Sequence, residues 1–121
     1  MRLRTHGSRY AEEDIRAIVA LGGYVELSFF ILTHATQVGL THVDEEKHRI
    51  SGGATIHDFA PRMRAAGDRC ILSTDAGVFL LPPPVEAFRE YLLLVESAGF
   101  TEAEIRRMTA TNPAALFGLP D

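Results

Sequence analysis

The sequence contains no tryptophan and one cysteine, Cys70. One cysteine cannot close a disulfide within the chain, and it cannot form a zinc site from cysteines alone. Long apolar runs are also missing, since the longest lie around residues 29–32 and 78–81 and are far too short to cross a bilayer. The N-terminal residues lack the apolar stretch of a secretion signal. These absences predict a cytoplasmic protein.

Positive charge is scarce as well. The chain carries 12 basic residues against 16 acidic ones, which gives a formal charge of −4. Nucleic acids and anionic membranes are bound by clustered positive charge, so we expect neither as a partner. The apolar content of 46% and the charged content of 23% are those of a folded chain, and 121 residues correspond to one domain.

The order of the apolar segments predicts strands that alternate with helices. Runs rich in β-branched, aromatic and aliphatic residues predict three strands, at residues 2–6, 24–31 and 70–74. The long connection after the second strand is polar and has no clear periodicity. Parallel strands joined by right-handed crossovers would give an α/β fold.

The helices are predicted from the signals at their ends. The first covers residues 11–21 and carries acidic residues in its first turn, and the second begins after Thr55 and ends at Gly67. Pro61 lies inside this second helix and predicts a kink or a later start. Later helices start at Pro84, at Thr101 with Glu104 as a capping pair, and at Asn112-Pro113, the last of them ending at Gly118.

Asp75 is the main candidate for a chemical role. It directly follows the apolar segment 70–74, and α/β folds place ligands and catalytic groups at the carboxyl ends of their strands. A carboxylate there can bind a metal or take a proton from a bound water. The sequence Asp75-Ala76-Gly77 also permits a structural role, in which the aspartate side chain caps a turn.

His6 and Glu26 are further candidates because of their positions in the predicted strands. His6 ends the first strand, where an imidazole is either a metal ligand or a solvated histidine near the chain terminus. Glu26 lies in the middle of the second strand. An inward carboxylate there needs a compensating partner or a polar interior, and the alternative is an outward position on an edge strand.

The other histidines form no metal-binding motif. His34, His42, His48 and His57 are spaced by 8, 6 and 9 residues, so neither His-x-His nor His-Glu-x-x-His occurs. We interpret them as ordinary loop or surface histidines. His34 and His42 follow the second predicted strand and could also line the mouth of a substrate site.

Four segments in the second half of the chain resemble the carboxyl end of metal-dependent hydrolases of the amidohydrolase superfamily. They are Ile-Leu-Ser-Thr-Asp-Ala-Gly at residues 71–77, Pro-Pro-Pro-Val-Glu-Ala-Phe at 82–88, Glu-Ala-Glu-Ile-Arg-Arg-Met at 102–108 and Thr-Asn-Pro-Ala-Ala-Leu-Phe-Gly-Leu at 111–119. In that superfamily a strand ends in Ser/Thr-Asp, and an Asn-Pro-Ala segment follows in the closing helices. The resemblance implies that residues 1–121 are one partial domain, the C-terminal portion of a TIM-type (β/α)8 barrel with about three parallel strands and covering helices.

The resemblance also implies a chemistry. Asp75 corresponds to the aspartate after the eighth strand, which binds metal or accepts the proton of the attacking water, and His6 corresponds to the histidine after the sixth. The implied cofactor is a divalent metal, zinc in the first instance, held by His6 and Asp75. The implied substrate is a small molecule with a C–N, C–O or phosphoester bond. Glu26 would face the barrel interior without an assigned role.

The departures from the family predict an incomplete site. The family's His-x-His after the first strand and its Lys or His after the fourth or fifth have no counterpart here, since Lys47 lies after the segment that would be the seventh strand. A complete barrel also needs about 200 residues or more. We therefore expect this chain alone to have little or no hydrolase activity, with the N-terminal half missing or with copies of the chain assembled into a homo-oligomer.

A noncatalytic role is the alternative. A small α/β module with unpaired strand edges and an uncovered apolar face would dock a partner or a copy of itself. The composition and motifs alone do not decide between this module and the hydrolase fragment.

Overall fold

A short parallel sheet lies at the centre of the described part of the chain. The computed structural model describes residues 4–6, 10–32, 55–77 and 81–120. The strands are β1 (Arg4–His6), β2 (Tyr24–Ser28) and β3 (Cys70–Ser73), in the order β1-β2-β3 with both pairs parallel. In the register, His6 is opposite Glu26 and Ser28 is opposite Ser73. All three strands therefore end at the same edge.

Helices make up most of the remaining described residues. They are α1 (Glu12–Ala20), α2 (Ile56–Ala66), α3 (Pro84–Ser97), α4 (Glu102–Arg106) and α5 (Asn112–Phe117). Short 3-10 turns cover Phe29–Leu32 and Gly67–Arg69, and a π-helical turn, Arg107–Thr111, joins α4 to α5. In the described ranges, no helix has the length and apolarity that crossing a membrane requires.

The helix ends follow the side-chain signals in the sequence. The predicted capping pair at the start of α4 is confirmed, since the Thr101 amide donates to the Glu104 carboxylate at 2.7 Å and the Glu104 amide donates to Thr101 Oγ1 at 3.3 Å. A second capping box joins Thr55 and Asp58 at the start of α2. That helix starts at Ile56 and continues through Pro61, so the later start is wrong.

The two capping carboxylates hold their charge more readily than a free side chain. Hydrogen bonds from Thr55 lower the pKa of Asp58, and those from Thr101 lower the pKa of Glu104. Because both pKa values lie below those of the unfolded chain, the two caps stabilise the fold above the ordinary carboxylate range. Their contribution is lost as the pH falls through the lowered pKa values.

One face of the sheet forms the main hydrophobic core. Side chains alternate along a strand, so Val25 and Leu27 of β2 lie on the same face, which the structure buries completely. Cys70 and Leu72 of β3 belong to the same core, and helices supply much of the rest: Ile15 from α1, Phe59 and Met63 from α2, and Ala87, Tyr91 and Val95 from α3. The Tyr91 ring stacks on Phe29, with centroids 5.4 Å apart. Helices that precede β3 and a helix that follows it therefore cover this face of the sheet.

The predicted fold class is wrong. We expected the C-terminal portion of a TIM-type barrel, with about three parallel strands and covering helices. In residues 10–32, 55–77 and 81–120, helices and helical turns instead make up 66% of the chain, and the two strands there, β2 and β3, have only five and four residues. The second strand was predicted to reach residue 31. It ends at Ser28, where the Phe30 amide donates to the Ser28 hydroxyl, a local hydrogen bond that competes with strand pairing, and the chain continues as a 3-10 helix.

Candidate functional site at the carboxyl edge of the sheet

Asp75 lies at the carboxyl edge of the sheet, two residues beyond the end of β3. Its φ angle is 53°, and in the described segments it is the one residue other than glycine with a positive φ. Aspartate is among the L-residues that tolerate this left-handed conformation best. The side chain is exposed. The structure therefore places Asp75 at the carboxyl end of a strand, as the sequence predicts.

The turn around Asp75 is closed by its neighbour. The Ala76 amide donates to Thr74 Oγ1 at 3.2 Å, whereas no described residue forms a hydrogen bond or an ion pair with the Asp75 carboxylate. Among the described residues, therefore, no hydrogen bond of the Asp75 side chain caps the turn. The carboxylate is thus held at the rim by the backbone and is available to solvent.

Ser73, the last residue of β3, carries a buried hydroxyl for which the structure gives no hydrogen-bond partner. Its register partner Ser28 is also buried, and Ser28 Oγ accepts the Phe30 amide at 3.3 Å. Leaving a buried hydroxyl unpaired costs about 1–3 kcal/mol, so such groups are commonly completed by a water or a bound ligand. Ser73 is therefore a polar group adjacent to Asp75 that can accept a further partner.

Glu26 is buried in the central strand, with 4% of its surface exposed. Because strand side chains alternate, Glu26 lies on the face opposite Val25 and Leu27. Of the two positions considered from the sequence, the inward one is correct. Glu26 also affects the buried hydroxyl of Tyr91. The pKa of Tyr91 is raised well above its usual value, mainly by burial and additionally by the nearby Cys70 and Glu26.

His6 and Asp75 belong to the same edge of the sheet. β1 and β3 both run parallel to β2, and β1 ends at His6, whose backbone pairs with Glu26. β2 separates the two outer strands, so they are two interstrand spacings, roughly 10 Å, apart. The backbone arrangement thus brings the two predicted ligands to one side of the sheet and places Glu26 between their strands.

The described residues do not form a metal site by themselves. No group of three or more His, Cys, Asp or Glu side chains in residues 10–32, 55–77 and 81–120 is arranged to hold an ion. His57 is exposed on α2. His34, His42 and His48, along with Lys47, lie outside the described residues. The metal role of His6 and Asp75 therefore stays a prediction.

Two polar residues of this region, Ser28 and Ser73, were not predicted as site residues. The alternation along β2 would have placed Ser28 on the same face as Glu26. Pairing it with Ser73 requires the register between β2 and β3, which depends on contacts between residues far apart in sequence. Ser73 was set aside because it lacks the glycines of a nucleophile elbow, and that motif does not detect a buried hydroxyl without a partner.

Cys70, at the start of β3, is expected to be chemically inert in the native state. Burial raises the pKa of its thiol to about 12, and only the thiolate reacts with disulfide reagents. We expect a thiol-specific disulfide reagent to label native protein only slowly near neutral pH and to label one thiol per chain in denaturant. Rapid stoichiometric labelling of the native protein would contradict this burial.

The same shift predicts an alkaline loss of stability. The unfolded thiol ionises near its ordinary pKa of 9.0, whereas the folded one ionises near 12. The stabilising contribution is therefore complete below about pH 9 and is lost as the pH rises toward 12. Urea unfolding at several pH values across this range should show that the free energy of unfolding falls as the pH rises. In Cys70→Ala this free energy should fall less steeply with pH.

Comparison of the chain with models of known protein families, with curated proteins and with solved structures gave no match.

Proposed function

We propose that the carboxyl edge of the sheet is part of a hydrolytic site that acts on a small molecule with a C–N, C–O or phosphoester bond. The observation that carries the proposal is the exposed carboxylate of Asp75, which has no hydrogen-bond or ion-pair partner among the described residues and is held in a left-handed turn two residues after β3. Holding a charged side chain at the edge where parallel sheets bind ligands suits a base better than a structural cap. The resemblance to the amidohydrolase superfamily supports the same assignment.

Asp75 acts as the base in this proposal. Its carboxylate takes a proton from water, and the water oxygen attacks the carbon or phosphorus of the scissile bond. The carboxylic acid so formed returns the proton to the departing nitrogen or oxygen, which regenerates the carboxylate. The unpartnered Ser73 hydroxyl is a hydrogen-bond donor for the substrate beside this base.

A divalent metal, zinc in the first instance, belongs to the proposal with His6 and Asp75 as its ligands. Catalytic zinc sites usually have three protein ligands and one open position. His6 and Asp75 are only two, so they do not make a complete catalytic centre. The remaining ligands would have to come from a second chain or from residues that the structure does not describe. We therefore expect weak metal binding and little turnover from the isolated chain.

The test compares Asp75→Asn with Asp14→Asn. Asparagine also tolerates the left-handed conformation, so Asp75→Asn removes the charge without disturbing the turn. Asp14→Asn removes another exposed carboxylate, in the first turn of α1, which the proposal does not place in the site, and so controls for the loss of one negative charge. Calorimetric titration with Zn²⁺ and absorption spectra with Co²⁺ would measure binding, and p-nitrophenyl esters, anilides and phosphoesters would measure turnover.

We expect Asp75→Asn to abolish the weak binding of Co²⁺ and Zn²⁺ and to lower any measurable turnover at least about a hundredfold, the smaller end of a general base's contribution. His6→Gln should weaken metal binding in the same assay. Asp14→Asn should behave like the unaltered chain. Metal binding and turnover that survive Asp75→Asn, or the absence of any metal binding by the unaltered chain, would contradict the proposal.

A further inference from the structure

The outer face of α3 exposes large apolar side chains to solvent. Val85 and Leu93 are 64% and 65% exposed, although both are aliphatic residues of a regular helix. The opposite face of α3 is the one that packs on the sheet, through Ala87, Tyr91 and Val95. The outer face therefore has no covering element in the described structure.

A shallow groove of about 510 Å³ runs along this outer face, between α3 and α4. Leu92, Leu93 and Ile105 form its apolar floor. Its charged residues are Arg89, Glu96 and Glu102. Positions three and four residues apart lie on one side of a helix, so Arg89, Leu92 and Glu96 form a single stripe with the cation nearer the start and the anion nearer the end.

We propose that this stripe binds a second copy of the chain, with the two α3 helices packed antiparallel about a two-fold axis between Leu92 and Leu93. In that arrangement Leu92 of each copy faces Leu93 of the other. Arg89 faces Glu96 of the second copy, and by symmetry Glu96 faces its Arg89. One patch is thus complementary to itself, as an isologous dimer contact requires.

The charges select this orientation. A parallel packing would place Arg89 against Arg89 and Glu96 against Glu96, which is repulsive at both positions. The antiparallel packing makes both contacts attractive. Arg89 now contacts Glu86 of its own helix at 3.5 Å, in a pair whose side chains are 72% and 53% exposed. Exposed pairs of this kind contribute little, so exchanging Glu86 for Glu96 of the second copy costs little.

The size of the face indicates a weak dimer. The 14 residues of α3 span about 21 Å, so one helix face with its α4 neighbour buries less than the roughly 1,600 Å² of a standard stable interface. We expect a reversible dimer with a micromolar dissociation constant. Self-association was one alternative from the sequence, through an unpaired sheet edge. The proposed contact uses a helix face and is independent of the hydrolytic site.

Sedimentation equilibrium of the full chain, from low micromolar to millimolar concentration, tests the proposal. The variants are Leu93→Glu, Arg89→Glu, Glu96→Arg and the double variant with both charges reversed. Glu90→Arg is the matched control, because it changes the same charge on an exposed position of α3 outside the stripe. All the substituted side chains are substantially exposed, and circular dichroism would verify that every variant folds.

We expect a concentration-dependent dimer in the unaltered chain and in Glu90→Arg, and none in Leu93→Glu. Each single charge reversal should weaken association at least about tenfold, since it creates two like-charge contacts. The double variant should regain it. An equimolar mixture of Arg89→Glu and Glu96→Arg should form a heterodimer more tightly than either variant associates with itself.

Three outcomes would overturn the proposal. The first is an unaltered chain that remains monomeric over the whole range, which would leave the groove free for another partner. The second is a dimer that persists in Leu93→Glu, which would place the contact elsewhere. The third is failure of the mixed charge variants to associate, which would exclude the antiparallel pairing of Arg89 with Glu96.

Discussion

Replacing Tyr91 by alanine is expected to lower the free energy of unfolding by about 3–5 kcal/mol, the usual cost of deleting a buried aromatic ring. The Tyr91 side chain is completely buried. It stacks on Phe29, and its hydroxyl donates to the Leu27 carbonyl at 3.0 Å. One residue of α3 thus contacts the central strand and the turn that follows it. A domain of this size has a total stability of about 5–15 kcal/mol, so the loss should be a large fraction of the whole.

Two variants separate the contributions of Tyr91. Tyr91→Phe keeps the ring and removes the hydroxyl, so we expect a loss of about 0.5–1.5 kcal/mol, the usual net value of one hydrogen bond. Leu93→Ala, on the exposed face of the same helix, should change stability by less than about 0.5 kcal/mol. Urea unfolding followed by circular dichroism would measure all three. A Tyr91→Ala protein as stable as Leu93→Ala would show that α3 does not pack on the sheet as described.

Asn112 is the second position where we expect a large effect. Its side-chain amide is buried and donates to the Cys70 carbonyl at 2.6 Å, which ties the start of α5 to the start of β3. Asn112→Ala removes that donor and leaves the buried Cys70 carbonyl without this hydrogen bond. We expect the free energy of unfolding to fall by about 1–3 kcal/mol. Asn112→Asp should cost more at neutral pH, because a buried carboxylate would then face the carbonyl oxygen.

Acid provides an internal control for Asn112. Protonation of the introduced carboxyl group restores a donor, so the deficit of Asn112→Asp relative to Asn112→Ala should shrink on acidification. Urea unfolding of both variants at neutral and acidic pH would measure this difference. If Asn112→Asp matched the unaltered chain at neutral pH, the hydrogen bond to Cys70 would have no energetic role.

Asn112 also shows how a sequence resemblance and a structural role can differ. The Asn-Pro-Ala segment was one of the four segments that resemble the amidohydrolase superfamily. In the structure the side chain of Asn112 packs the last helix against β3, at the opposite end of that strand from Asp75. Such a residue can be retained for packing alone, so the segment gives no independent support to the hydrolytic proposal.

The helix ends could be predicted because their causes are local. Thr101 and Glu104 are three residues apart and bond to each other's backbone, and Gly118 ends α5 with a φ of 69°. The π-helical turn Arg107–Thr111 was not predicted. It immediately precedes Asn112-Pro113, where the missing proline amide interrupts the regular hydrogen-bond series.

The fold class could not be predicted because it depends on strand length and on which elements cover the sheet. The aromatic run after Ser28 satisfies the pattern of a strand, yet the Phe30 amide donates to the Ser28 hydroxyl and the chain continues as a 3-10 helix. The candidate site could be predicted only in part, because some of its features are local and others are not. The position of Asp75 follows from local sequence, whereas the positive φ and the unpartnered hydroxyl of Ser73 depend on tertiary packing.

The alternation of β2 makes this strand intolerant of changes in length. Val25 and Leu27 point to the core, whereas Glu26 and Ser28 lie on the other face. Inserting or deleting one residue between Gly23 and Glu26 would exchange the two sets and drive a carboxylate among the aliphatic side chains. Substitutions at single positions of β2 keep this alternation, whereas a change in the number of residues between the end of α1 and Ser28 does not.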